Sequence, residues 1–290
     1  MSESSTEAGS LSSRDFDQFR SLAHQKFGLD LPDGKQQLVA ARLGKKMREL
    51  NLTSFHAYYQ HVVEDRTGDA LIAMIDALTT NHTSFFREAA HFDFLRRTVV
   101  PALRGRATIN LWSAACSSGE EPYSIAFSLF DELGPETLAK VRILATDIST
   151  RVLGLAQAAV YPAERFRGVG PDQLRKYVLK GEGKHRDNFM VKRQFRDIVE
   201  FRRLNLMEEI SQVGPFPAIF CRNVMIYFDR VTQQELVNRL ANRLEPGGYL
   251  FIGHAESLGG LDQPLEYVQP AVYMKTSEDM PKSTRLGVRK

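Results

Sequence analysis

The sequence predicts an α/β fold in three parts. A small all-helical region covers residues 14–100, a doubly wound parallel sheet covers 101–275, and a small antiparallel insertion interrupts the sheet at 165–203. Three observations carry that prediction. Apolar residues recur at helical spacing as far as Pro101. Beyond it, short β-prone runs alternate with helical ones. Between 165 and 203 that alternation breaks.

The elements follow in order. Residues 1–13, MSESSTEAGSLSS, are polar and read as a disordered lead-in with no signal-peptide core. Phe16, Phe19 and Leu22–Ala23 recur at helical spacing, and a Gly/Pro/Asp turn follows at 28–34. KQQLVAARLGKKMREL places Val39, Leu43, Met47 and Leu50 on one apolar stripe. Lys35, Arg42 and Lys46 lie beside that stripe, with Lys45 a little further round. SFHAYYQHVV and DALIAMIDALTT continue the helical pattern.

After Pro101, ATINLWSAAC reads as a strand running into a loop, EPYSIAFSLFDEL as a helix, VRILATDIS as a strand with an acidic end, and TRVLGLAQAAV as a helix. PFPAIFCRNVMIYF contains a further strand. QQELVNRLANRL is a helix, PGG turns the chain into YLFIGHAE, and LEYVQPAVYMKT reads as a hairpin. In the insertion, PDQLRKYVL is a short helix before a glycine turn, KGEGK, and several β-prone pieces. Residues 276–290 form a tail.

Composition narrows the class. The chain is 43% hydrophobic and 25% charged, the profile of a soluble globular protein. No apolar run reaches the ~18 residues of a membrane span. Cys116 and Cys221 are far apart and fit neither a disulfide framework nor zinc spacing, so a cytoplasmic protein without a metal is expected. The net charge of +3 is too small to argue for nucleic acid, and the basic helix is too localised for a base-stacking stripe.

In a doubly wound sheet the ligand lies beyond the carboxyl ends of the strands. The loop after the first strand, SAACSSGEEPYS, has one glycine, Gly119, then Glu120 and Glu121 in the first helical turn. A dinucleotide site wants three glycines and a helix N-terminus open to pyrophosphate. Two carboxylates there repel phosphate and suit a cationic, phosphate-free ligand, of which S-adenosylmethionine is one. The alternative is that they are ordinary helix N-terminal residues. Asp147, at the end of ILATDIS, is either an acceptor for two ribose hydroxyls or a helix cap.

TTNHTSFFREAAHF, LWSAACSSGEEPYSIA, ILATDIS, FRRLNLM, IFCRNVMIYFD and LEPGGYLFIGHAESL, in that order, resemble the chemotaxis receptor methyltransferases, the CheR family. The likeness covers roughly residues 14–275. It implies a Rossmann-like class I methyltransferase domain with a β-subdomain, behind a helical N-terminal domain. It also implies an adenosylmethionine-dependent protein-glutamate O-methyltransferase that esterifies glutamates on the cytoplasmic helical bundle of chemoreceptors in adaptation.

By that resemblance, Asn81, Thr83 and Arg87 line the cofactor site from the linker. Glu121 and Asp147 hold the amino-acid or ribose parts of adenosylmethionine and of the product S-adenosylhomocysteine. Asn205–Leu206 and Arg222–Asn223 complete the pocket. Whether Glu120 or Glu121 makes the contact stays open. Phe85 and Phe86 pack the linker onto the α/β domain.

An ionised glutamate needs no general base, so Arg87 and Tyr227 are candidates for holding and orienting the incoming carboxylate. His82, His91 and His254 read as structural. Lys35, Arg42, Lys45 and Lys46 complement an acidic receptor bundle, against the plain alternative of a solvated face. Gly181 and Gly183 resemble the turn of family members that bind a receptor's C-terminal pentapeptide, with Lys192 and Arg193 nearby to meet its negative charge.

Overall fold

The computed structural model describes residues 9–80, 82–210 and 213–276. Most of the expected lead-in and tail therefore lies outside the described residues. The chain begins with four helices, α1 (Ser13–Phe27), α2 (Gln36–Glu49), α3 (Phe55–Glu64) and α4 (Asp69–Leu78). Ser12 caps α1 by accepting from the Asp15 N–H at 3.1 Å, and Ser54 caps α3 in the same way. Phe16, Phe19, Leu43, Met47, Tyr58 and Ile75 close a core among these helices. Leu50 departs from the expected stripe. It is the C-cap residue of α2 and stands 45% exposed, because the helix stops at Glu49 before its face comes round.

Residues 82–88 cross to α5 (Ala89–Phe94), which runs through a π turn at Leu95–Val99 into α6 (Val100–Leu103). Pro101 has no N–H to return to the preceding turn, and a π turn is one way a helix absorbs that loss. Phe85 stacks on Phe166 at 4.1 Å and meets Tyr161 edge-on at 5.0 Å, while Phe86 packs on Phe92 and Phe127. The two phenylalanines fasten this segment to the second domain.

That domain runs β1 (Ile109–Ala114), α7 (Glu120–Leu138), β2 (Val141–Asp147), α8 (Thr150–Ala158), β3 (Val160–Pro162), α9 (Pro171–Tyr177), β4 (Val178–Lys180), β5 (Asn188–Val191), α10 (Arg193–Arg196), β6 (Val199–Arg203), β7 (Phe216–Cys221), α11 (Arg230–Arg243), β8 (Leu244–Phe251), β9 (Leu265–Gln269) and β10 (Val272–Lys275). The large sheet has seven strands in the order β6-β2-β1-β7-β8-β10-β9. The first five are parallel, and β10 is antiparallel to both β8 and β9.

Alternation along β1 feeds two cores. Leu111 faces the layer of α5, α6 and α7, while Trp112 faces the layer of α11. Every residue of β7 is buried, as a central parallel strand requires.

The small sheet is antiparallel, in the order β3-β5-β4. Its bounds differ from the expected 165–203. It begins earlier, at Val160, and Val199–Arg203 belongs to the large sheet, parallel to β2. As an edge strand with exposed Glu200, Arg202 and Arg203, β6 lacks the continuous apolar run that marks a buried parallel strand.

Candidate functional site

Strand order reverses at β1, which pairs with β2 on one side and β7 on the other. A cavity of about 730 Å³ opens beyond the carboxyl ends of these strands, roofed by the helical domain. The loop leaving β1 is held in uncommon backbone: Ala115 (φ 64°), Ser117 (φ 49°) and Gly119 (φ 95°) are left-handed. Such outliers in non-glycine residues cluster at binding sites. At Gly119 a Cβ would fall 2.8 Å from both the Ala156 Cβ and the Tyr161 hydroxyl, so only glycine lets α7 start so close to α8.

Asp147 ends β2 with its carboxylate at the cavity. One oxygen accepts from the Ser117 N–H at 2.8 Å and the other from the Ser149 N–H at 2.9 Å. Each therefore keeps a lone pair for a ligand. Burial pushes its pKa up to about 6, against those two N–H donors, with Asp76 adding to the rise.

Glu121 also faces the cavity. It accepts from the Ser113 hydroxyl at 2.7 Å and from Arg222 at 3.0 Å. Burial raises its pKa and the Arg222 guanidinium pulls it back. Glu120 is fully buried, accepts from the Ser118 hydroxyl and lies 3.3 Å from Arg165, away from the cavity. The geometry therefore favours Glu121 over Glu120.

Arg222 sits on the cavity wall, but its guanidinium faces protein. Besides Glu121 it pairs with Glu88 at 3.0 Å, donates to the Arg87 carbonyl and lies 5.8 Å over the Phe92 ring. It joins the linker to α7 and carries a ligand contact only through the shape it enforces. It was expected to help complete the pocket, and it does line the cavity.

Asn223 has φ 59° at the turn after β7, and its N–H donates to Glu256 at 2.9 Å. Glu256 also takes the N–H groups of Ile226 and Gly253. It thereby fixes the whole 222–227 loop, a role that GHAES concealed in the sequence.

Asn205 lines the cavity, yet its side-chain amide donates to the Lys26 carbonyl at 2.9 Å and its oxygen accepts from the Met207 N–H. Leu206 is buried, and Arg239 holds the Leu206 and Met207 carbonyls. Thr83 and Arg87 line the cavity from the linker, and Arg87 donates to the His82 carbonyl at 2.8 Å. Asn81 lies outside the described residues.

The Tyr227 hydroxyl lines the cavity and accepts from the Thr80 N–H at 2.9 Å, tying β7's loop to the end of the helical domain. Asp76 of α4 was not anticipated. It lines the same cavity and accepts from the Ser149 hydroxyl at 2.7 Å.

The four basic residues of the first domain divide. Lys35 and Arg42 line the cavity mouth, whereas Lys45 and Lys46 do not. Arg42 donates to the Leu78 carbonyl and Thr80 hydroxyl, and Lys46 pairs with Glu49 at 2.8 Å. Lys35 and Lys45 are exposed.

In the small sheet, a Cβ on Gly181 would lie 2.1 Å from the His185 carbonyl, and Gly183 has φ +54°. The turn itself demands both glycines. Lys192 donates to the Arg175 carbonyl, and Arg193 is exposed while pairing with Asp197 at 3.2 Å.

The residues fit adenosylmethionine. Asp147 has acceptors of the kind that two ribose hydroxyls would need, and Glu121 has a carboxylate that would suit a cationic amino-acid head.

Comparison with known proteins agrees. Residues 14–79 match the CheR methyltransferase all-alpha domain, and residues 81–274 match the CheR methyltransferase SAM-binding domain. The chain is 40% identical over 269 residues to the chemotaxis protein methyltransferase of Escherichia coli (strain K12), covering 92% of this chain and 93% of that one. It is 40% identical to chemotaxis protein methyltransferase 2 of Pseudomonas aeruginosa (89% and 92% covered) and 39% identical to the chemotaxis protein methyltransferase of Borreliella burgdorferi (88% and 91% covered). With its cavity at the switch point and both domains matched, the chain belongs to the CheR family of S-adenosylmethionine-dependent methyltransferases.

Proposed function

We propose that this enzyme methylates glutamate side chains of chemoreceptors from within the cytoplasm. The observation that carries the reading is one cavity with two characters. Its floor holds the carboxylates Asp147 and Glu121, and its mouth holds the cations Lys35 and Arg42. The floor suits a cationic donor and the mouth suits an acidic protein surface. Among the described residues no helix is long and apolar enough to cross a membrane.

Bound adenosylmethionine supplies a methyl group on a sulfonium. The glutamate acceptor is already ionised. One of its oxygens forms the new O–C bond as the C–S bond breaks and its electron pair stays on sulfur, so no proton moves. The chain's part is to hold, aim and dry the reactants, which supplies several kcal/mol of the barrier.

In this reading Thr83, Asn205, Leu206 and Asn223 shape the donor pocket, with Asn81 as an expected further contact. Arg87 is the cation placed to hold the incoming carboxylate. Tyr227 presents its hydroxyl at the same wall while closing the helical domain onto the sheet.

The acceptor docks as a helical bundle along α2, steered by Lys35 and Lys45. The edges of the small sheet, β3 and β4, are open to an extended receptor C-terminal pentapeptide added as a strand. That tether would raise local substrate concentration without touching the chemistry.

Incubation with methyl-labelled adenosylmethionine and receptor cytoplasmic fragments tests the proposal. Alkali-labile methyl esters on glutamate are expected. Label that is stable to alkali, or label on nucleic acid instead, would overturn it.

A further inference from the structure

Behind the cavity wall, beyond Arg222, three side chains with metal-ligand chemistry converge. Glu88 comes from the linker, His91 from α5 and His254 from the loop after β8. Their ligand atoms all lie within 4.8 Å of one another. His91 is fully buried, and neither of its ring nitrogens has a hydrogen-bond partner. A buried imidazole left in that state is costly and calls for an occupant. The Glu88 oxygen facing it pairs with Arg222 at 3.0 Å, and the Glu88 carboxylate also draws on the His254 backbone N–H.

The spacing is that of ligands on one ion. Glu88 Oε2 lies 3.4 Å from His91 Nδ1. Two donors each about 2.0–2.2 Å from a tetrahedral zinc are separated by about 3.4 Å. His254 is exposed, and rotation of its side chain closes the remaining gap. The exposed His254 leaves a fourth position open to solvent.

The His254 and Phe251 rings stand edge-on to His91, at 4.8 and 5.6 Å.

The geometry points to a binding site for a transition-metal dication of the zinc class, held by Glu88, His91 and His254. Two imidazoles and one carboxylate suit zinc, cobalt or nickel. The set has too few oxygens for calcium or magnesium. Arg222 beside Glu88 opposes a dication and sets the affinity below that of closed structural sites. The ion would tie the linker to the loop after β8 and so brace the wall on which Arg222 and Glu121 meet. Its role is structural and separate from methyl transfer.

Chelator-stripped full-length protein titrated with zinc chloride by calorimetry tests this, with cobalt absorption as a second readout. One-to-one saturable binding, visible cobalt bands of four- or five-coordinate intensity and a raised melting temperature are expected. His254→Ala should weaken binding roughly tenfold or more, and its exposed position keeps the fold intact. His91→Gln should do the same, with circular dichroism checking that it folds. Absence of saturable zinc binding in the unmodified protein overturns the proposal. So does zinc affinity that is unchanged in a folded His254→Ala variant, since it would place the ion on another surface histidine.

Discussion

Donor binding should fade as the pH falls through about 6, because Asp147 then takes up a proton. Burial lifts its carboxyl from 3.8 to about 6, the Ser149 and Ser117 N–H groups resist, and Asp76 adds to the lift. A folded pKa above the unfolded one means the fold prefers the protonated form. The associated stability is complete below about 4 and is lost as the pH rises through about 6. At about 1.36 kcal/mol per unit, the ligand-free protein gives up about 3 kcal/mol over that window. A ribose reverses the preference, since its hydroxyls donate to the ionised form.

At about pH 5 roughly one molecule in ten holds Asp147 ionised. Affinity for adenosylmethionine should then be about tenfold below its value near pH 7.5. Calorimetry from about pH 5 to about pH 8 measures it, with Asp147→Asn as control. Asparagine keeps the shape and does not titrate. The variant should bind about 1.5–3 kcal/mol more weakly near pH 7.5, with a flat profile and a higher ligand-free melting temperature. Glu121 and Glu256 are also raised by burial and face the same walls. A slope that survives in Asp147→Asn would assign the titration to them and refute the reasoning.

Arg222→Ala strands Glu88 and Glu121 as buried carboxylates and should cost about 3–5 kcal/mol of stability; chemical denaturation with an unchanged midpoint would contradict the network. Tyr227→Phe loses the link to Thr80 and should cost about 1 kcal/mol while leaving turnover within a few-fold; a collapse of kcat at unchanged stability would make its hydroxyl part of the chemistry. Lys35→Glu with Lys45→Glu should raise the KM for a receptor fragment about tenfold, and a normal methylation rate at low fragment concentration would reduce both to solvated surface. S-adenosylhomocysteine should bind at least as tightly as adenosylmethionine, since Asp147 and Glu121 grip parts common to both. Arg87→Ala should lower the rate and narrow that gap, which parallel titrations of the two ligands decide.

Much of the fold was legible because local pattern and tertiary demand agree. INLWSA and FPAIFC are apolar on both faces and became the buried β1 and β7. VEFRR failed because an edge strand with alternating charge looks the same in a parallel sheet as in a hairpin. At the site, Glu121 and Asp147 were readable because each sits at a fixed offset from a strand end. Glu256 and Asp76 were not. Glu256 acts through backbone N–H groups of a loop some thirty residues earlier in the chain, and Asp76 reaches in from another domain. Arg222 was legible as a pocket residue, but nothing local shows that its partners are Glu88 and Glu121.

That pairing bears on how the cavity keeps its charge. Glu88, Glu121 and Arg222 together carry one net negative charge, and Asp147 adds a second when ionised. Burial raises the Glu121 pKa, and the Arg222 guanidinium is the largest opposing influence. The guanidinium favours the ionised form of Glu121 and sits against the linker on its other side, so the acceptor and the closure of the linker are stabilised by one group. Glu121 also keeps the Ser113 hydroxyl, which orients it before any ligand arrives. Few side chains remain to be ordered on binding, and a cationic donor meets charge already in place. The same economy makes the wall brittle: removing Arg222 unbalances both carboxylates at once, whereas Asp147 stands outside that network, held by the Ser117 and Ser149 N–H groups.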